Sequence, residues 1–420
     1  MYTGEEDSNT LIWDIGSCSV RGGFAGEDAP RVFEPSYAGL LDESPAPTRY
    51  FLGDEVHYRR NCMRVEPFFK ADRSLNADLV RLAVQHSIQT RLFVHTNESP
   101  MLLSEPDLPD KALRTGLAEQ FFEELQVPAL YFASASVLAA FGLGRQSALV
   151  VQSGAFSTSV VPIFEGSVVP KSIFYCELGG ETLTYLLMDL LGQRGVTVRP
   201  KYSISKEMKY KRDSEGALEL LSKPTITAQH WPQTHPSYHL FTQLSLIRDL
   251  KESLLKVSDT PYSHESAYQT QAGGDYELPD GTVIELGAER FRVPEVLFAG
   301  PTALVDSGVP GFKGIQEMAY DAIQRTEPDI RKDLYSSVVF AGGNALLAGF
   351  PERVLKKLLD MALPTLKVKQ VVPATPAERR FGTWQGGSVL ASLTGLRGLW
   401  MTREEYREHG PCILTRKPRY

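Results

Sequence analysis

The chain has 420 residues, enough for two or more folded units at about 100–200 residues each. Its 42% hydrophobic and 23% charged residues supply an ordinary packed core and exclude a mostly disordered chain. The net charge of -7 excludes a surface that is basic throughout, while leaving room for a local basic patch.

From the N-terminus, Met1-Tyr2-Thr3-Gly4-Glu5-Glu6-Asp7 is acidic and lacks the basic start and apolar stretch of a secretory signal. Leu11-Ile12-Trp13 reads as a buried strand that runs into the small-residue turn Asp14-Ile15-Gly16-Ser17. Asp42 to Arg49, with two prolines, reads as a surface loop. Leu113, Leu117, Phe121 and Leu125 recur at helical spacing, and Pro128 follows the end. Leu149-Val150-Val151 is a second strand, running into Gln152-Ser153-Gly154-Ala155. The densest basic run, Lys206 to Arg212, reads as a solvated helix face or loop. Ile247, Leu250, Leu254 and Val257 mark one face of a helix, with Lys251 at the edge of the stripe and Glu252 well off it. Asp259 to Asp280 is polar, rich in Ser, Tyr and Gly, and reads as a surface loop. Val338-Val339-Phe340 is a third strand, running into Ala341-Gly342-Gly343-Asn344. Val389, Leu390, Leu393, Leu396 and Leu399 mark a last helix.

Strands alternating with helices imply an α/β class. No apolar run reaches the roughly 18 residues of a membrane span. The four cysteines, Cys18, Cys62, Cys176 and Cys412, are far apart and form no Cys-x-x-Cys pair. Neither a zinc site nor a disulfide framework is expected from them, which suits a reducing compartment. The three strand-to-turn junctions matter more. A buried strand ending in a glycine turn lets backbone N–H groups converge, as phosphate sites require. Each junction alone reads better as an ordinary strand exit than as a phosphate site. The first two look like one device used twice, which suggests two related halves facing a cleft.

Several longer segments carry a resemblance to a known family. Phe24-Ala25-Gly26-Glu27-Asp28-Ala29-Pro30-Arg31, Tyr276 to Gly281, Glu289 to Glu295, Asp329 to Tyr335, Gly386 to Leu393, and Glu404-Glu405-Tyr406 through Arg416-Lys417-Pro418 all resemble actin and the actin-related proteins, in order along the chain. Asp14 to Ser17 with Val20-Arg21, Ala25 to Asp28, Val257 to Thr260, and Glu378-Arg379-Arg380-Phe381 before Trp384 are similar to the type-four, nuclear branch that serves chromatin-modifying complexes. The resemblance implies an actin-like two-lobed α/β fold, each lobe built on a ribonuclease-H-like core, with a central nucleotide cleft. It implies four subdomains: 1–35, 71–142 and 383–420; 36–70, with a short DNase-loop region; 143–178 and 309–382; and 179–308.

The resemblance also assigns the cleft. Asp14, Gly16, Ser17 and Arg21 match the first phosphate loop, with Arg21 in place of a lysine and Cys18 in place of a glycine. Ser153 and Gly154 match the second, but Gln152, Ala155 and Phe156 depart from its Asp-Ser-Gly-Asp-Gly pattern. Ala135 stands where actin has the glutamine that orients attacking water. Lys251, Glu252, Gly342, Gly343, Leu346 and Leu347 match the adenosine side, and Arg380 stands where actin has a lysine. Paired glycines let a purine or ribose lie against bare backbone, and a carboxylate such as Glu252 can accept from a sugar hydroxyl. Without the family match, Lys251 and Glu252 read as ordinary helix-surface charges.

Two acids and one amide are missing from this pattern. The expectation is therefore ATP as the candidate ligand, bound without hydrolysis, with no dedicated metal and no catalytic residue. Phe141, Val389, Leu390, Leu393 and Leu399 match the groove in which actin takes up amphipathic partner helices, although any of them could instead be core. The implied partners are the helicase–SANT-associated helix of a remodelling ATPase, another actin-related protein or actin, and histones of a nucleosome. Filament formation is not expected. The segment Leu40 to Tyr50 is short and carries Pro45 and Pro47 instead of an apolar tip, and Ala299 to Lys313 departs from actin. A nuclear structural subunit is the leading reading. A dynactin-like cytoskeletal protein and an active ATPase or sugar kinase are its alternatives.

Overall fold

The computed structural model describes residues 10–43, 45–70, 74–108, 111–207, 210–212, 218–220, 225–262, 273–300, 313–373, 375–393 and 398–416. The acidic start, Leu396, residues 208–209, 263–272 and 301–312, and the end of the last family match lie outside them.

Among the described residues one sheet has six strands, in the order Met401–Thr402, Ala129–Ser134, Met101–Glu105, Leu11–Ile15, Ser19–Phe24 and Val32–Pro35. Leu11-Ile12-Trp13 lies inside it, parallel to Met101–Leu103 and antiparallel to Gly22–Phe24. A strand covered on both faces needs an apolar side chain at every position, and all three of these residues are buried.

The second sheet orders Ser167–Val168, Thr158–Phe164, Ala148–Ser153 and Val338–Ala341, and Phe174–Cys176 also pairs with Thr158–Phe164. Ala148–Ser153 and Val338–Ala341 run parallel, with Ala341 opposite Gln152. The second and third turns of the sequence therefore leave one sheet edge side by side. Each sheet has its own hydrophobic core, so the two-lobed α/β architecture is present.

The lobes meet on a helix crossing. The helix Ala135–Gly142 is apolar nearly all round and packs on both sides. Its Leu138 joins Ile12, Leu102 and Trp384, while Val137, Ala139 and Ala140 join Val150, Val161 and Val339. It touches the helix Pro376–Ser392 backbone to backbone. A Cβ on Gly386 would stand 1.7 Å from the Leu138 carbonyl oxygen, so no larger residue fits there.

A third sheet, Arg49–Phe51, Tyr37–Leu41 and Arg64–Pro67, packs against the helix Pro236–Leu254 of the other lobe. Among the described residues no helix is long and apolar enough to cross a membrane.

Several local readings need correction. The basic run is neither helix nor loop. Lys206 and Glu207 belong to the strand Ile204–Glu207, paired with Thr225–Ala228, and Tyr210–Arg212 pairs with Leu218–Leu220. The β-branched run Thr225-Ile226-Thr227 supplies the partner strand that a local charge count does not register. The loop from Asp259 contains the strand Gly274–Glu277, paired with Val283–Leu286. The helix carrying Lys251 stops at Leu254, and Val257 donates its N–H to the Ala348 carbonyl at 2.8 Å instead of continuing it. The helix Pro376–Ser392 ends before Leu393, so Leu393 and Leu399 lie beyond it.

Candidate functional site

The first turn is a hairpin between Leu11–Ile15 and Ser19–Phe24, in which Asp14 and Arg21 sit opposite each other. Arg21 pairs with one Asp14 oxygen at 2.5 Å, and Ser104 Oγ donates to the other at 2.6 Å. Gly16 closes the turn by donating its N–H to the Ser19 carbonyl at 3.1 Å. The N–H groups of Ser17 and Cys18 donate to no acceptor among the described residues.

The second turn repeats the arrangement. Gly154 N–H donates to the Ser157 carbonyl at 2.9 Å, and the N–H groups of Ala155 and Phe156 have no acceptor among the described residues. A glycine turn with unpaired N–H groups at the end of a buried strand is what an anion-binding nest requires.

The third turn locks onto the second. Asn344 Nδ2 donates to Ser153 Oγ and to the Gly154 carbonyl, each at 2.9 Å. Gly342 has φ +85, and a Cβ there would lie 2.2 Å from the Ser153 carbonyl oxygen. Gly343 has no neighbouring atom within 4 Å of its Cβ position and faces open space.

Lys251 is buried and donates to the Gly180 carbonyl at 3.0 Å and to Thr184 Oγ1 at 3.2 Å. Burial lowers its pKa from the usual lysine value, opposed by the nearby Glu181 and Glu252 charges. Lys251 is thus a fixed cation in the wall and not a helix-surface charge, whereas Glu252 is exposed. Gly180 lies against both Lys251 Nζ and Asn344 Oδ1, so these groups converge. Cys18, from the other lobe, lies within electrostatic reach of Lys251, Arg248 and Glu181, and burial raises its thiol pKa. Leu347 is buried and Leu346 exposed. Arg380 is exposed, with its guanidinium 4.6 Å from the Phe33 ring centre.

Two features escaped sequence reasoning. Asp107 receives four hydrogen bonds: from Ser134 Oγ at 2.7 Å, Ser136 N–H at 3.2 Å, Ser136 Oγ at 2.8 Å and Ser159 Oγ at 2.9 Å. These donors fix the carboxylate in place between the strand Ala129–Ser134 and the strand Thr158–Phe164. Gln152 lies beside this cluster, its Oε1 3.2 Å from Ser136 Oγ. Arg248 is gripped by both Glu181 oxygens at 2.8 Å and donates to the Tyr37 hydroxyl at 2.7 Å. Ser134 and Ser136 flanking the start of a helix were the only local signal of the first feature. The second joins residues remote in sequence and leaves no local signal.

The groove residues divide. Val389 and Leu393 are 49% and 48% exposed. Phe141 and Leu399 are half-buried and pack against the cluster of Ile12, Leu138, Trp384 and Leu390. Leu390 corrects the sequence reading. It is 1% exposed and packs with Ile12, Leu138 and Trp384, because it faces inward where the helix crosses the first sheet.

The fold, the paired turns and the inter-lobe helix crossing define an actin-type protein, and residues 5–419 match the family described as Actin, so the chain belongs to the actin family. Its relatives place it more narrowly. It is 34% identical over 453 aligned residues to Actin-related protein 4 of Oryza sativa subsp. indica and subsp. japonica. It is 34% identical over 451 residues to Actin-related protein 4 of Arabidopsis thaliana. Each comparison covers 99% of this chain and 100% of the relative.

Proposed function

We propose that the protein is a non-catalytic structural subunit of nuclear chromatin-remodelling assemblies of the SWI/SNF or RSC type, or of histone-acetyltransferase assemblies, and contributes there to transcription regulation. The observation that carries this reading is the pair of exposed apolar side chains, Val389 and Leu393, four residues apart at the end of the helix Pro376–Ser392. Such a strip suits one face of an amphipathic helix. Its occupant is the helix of a remodelling ATPase, with actin or another actin-related protein alongside and histones as a further contact. In the cleft, the free N–H groups of Ser17, Cys18, Ala155 and Phe156 would hold phosphates, and the open face at Gly343 would take the nucleoside of a non-hydrolysed ATP. No metal is assigned.

The test is substitution within the strip. An aliphatic side chain buried by a partner contributes about 1.5–3 kcal/mol. Leu393→Asp should leave the fold intact, because Leu393 is exposed, and should release the protein from the co-purifying remodelling ATPase. Leu390→Asp should instead lower thermal stability, because its charge would be stranded in the core. A folded Leu393→Asp variant that keeps wild-type affinity for the ATPase helix would remove the groove from consideration.

A further inference from the structure

The chain is acidic overall, yet four arginines sit on the third sheet and the connection between Arg49–Phe51 and Arg64–Pro67. Arg49 pairs with Glu43, and Arg64 pairs with Asp42 and Glu66. Arg59 and Arg60, in the connection, have no carboxylate partner among the described residues. Both are nevertheless held in place. Arg59 donates to Thr234 Oγ1 at 3.1 Å and to Asn61 Oδ1 at 2.9 Å. Arg60 donates to the Glu55 and Tyr58 carbonyls at 2.8 and 3.0 Å, and its guanidinium lies 3.7 Å from the Phe51 ring centre. Neutral acceptors fix the two guanidiniums without cancelling their charge, which leaves a preorganised positive rim for an anion. Both charges reach the Tyr238 hydroxyl. Of the neighbouring acids, Asp54 is paired with Arg91, and Glu55 is exposed.

Two aromatic rings stand beside these charges in solvent. Tyr58 is 66% exposed and Trp231 43%. Trp231 is fixed: its indole Nε1 donates to the Tyr202 carbonyl at 3.1 Å, and the Arg59 guanidinium lies 4.3 Å from its ring centre. Lys201, one residue before Tyr202, is exposed. An indole held in one orientation with much of its surface in water forgoes apolar burial, which a flat base laid on it restores. An acidic peptide would use the positive charges but offers no such surface to the rings. A duplex keeps its bases stacked inside and would likewise use the charges alone.

We propose that this rim binds single-stranded nucleic acid, with Arg59, Arg60 and Lys201 on phosphates and Trp231 and Tyr58 as stacking platforms. Such a surface reads backbone charge and base faces, so it tolerates sequence and weakens steeply with salt.

The test uses the full chain and a fluorescent strand of about 20 deoxythymidines, followed by anisotropy from about 50 mM salt upward. Wild type should bind. Lys201→Gln should weaken binding and flatten the dependence of log K on log salt by about 0.7. Trp231→Ala should weaken binding about tenfold or more and leave that salt dependence unchanged. Tyr58→Ala, at the more exposed ring, should act like Trp231→Ala and serves if that variant fails to fold. Absence of binding by wild type would overturn the proposal. So would binding that the folded aromatic variants leave unchanged, or a duplex of equal length held as tightly as the single strand. Displacement by polyglutamate as effective as by unlabelled strand would also overturn it, in favour of an acidic peptide. The free chain is used throughout, so the outcome is independent of the strip at Leu393.

Discussion

Gly342 and Gly343 are neighbours with opposite tolerances. A side chain at Gly342 would strike the Ser153 carbonyl and would also have to adopt φ +85. Gly342→Ala should therefore destabilise the fold by about 1 kcal/mol or more. A side chain at Gly343 meets no atom within 4 Å. Gly343→Trp should fold and fill the space beside the third turn. A ligand present at about 100 times its Kd stabilises a protein by about 2.7 kcal/mol. Thermal unfolding in millimolar ATP should thus shift upward for wild type and stay put for Gly343→Trp. A wild-type protein that shows no shift would make the cleft vestigial. Lys251 shows the limit of local reading at this scale. Its helical position puts it at the edge of an apolar stripe, and only the approach of Gly180 and Thr184 from another helix turns that edge into an interior.

At the scale of elements, two phenols, Tyr37 and Tyr238, sit where the sheet Arg49–Phe51, Tyr37–Leu41 and Arg64–Pro67 packs against the helix Pro236–Leu254. Burial is the main cause that pushes the hydroxyls of Tyr37 and Tyr238 up to about 12, against partial opposition from Arg248 and Arg59 respectively. An acid whose folded pKa is raised favours the folded state fully below its unfolded value, near 10 for tyrosine. That contribution is lost as pH climbs from about 10 towards 12. Tyrosinate absorbance should therefore show the difference between wild type and Tyr238→Phe emerging near pH 12. A midpoint near 10 for that difference would mean that Tyr238 is solvated and the packing of the small sheet on the helix is open. The helix Pro376–Ser392 makes the complementary point about reading patterns. Its apolar residues continue at helical spacing past its end, but the backbone turns extended at Leu393, and Leu399, beyond the helix, packs against the cluster that holds Leu390 and Trp384.

For the whole molecule, two carboxylates near the turns are already engaged within the protein. Asp14 is engaged by Arg21 and Ser104, Asp107 by three serines, and Ala135 offers no side-chain polar group. Positioned acid–base help is worth about 10²–10⁴ in rate. Purified protein should accordingly turn over no ATP above the buffer background, and turnover at the rate of actin would refute that reading. The strands, the three glycine turns and the family membership were legible in the residues themselves. Buried strands write continuous apolar runs, and each of the three strand exits carries a glycine: Gly16, Gly154, and Gly342 with Gly343. What the tertiary structure alone decided is which side of each apolar stripe meets protein and which meets solvent. Leu390 became core and Leu393 surface because the helix crosses the first sheet at Leu390 and ends beside Leu393. Asp107 found Ser159, and Tyr37 found Arg248, because the fold joined segments whose sequences carry no record of one another. Periodicity reports the face a residue occupies, while the contact that gives that face its chemistry comes from chain far away in sequence.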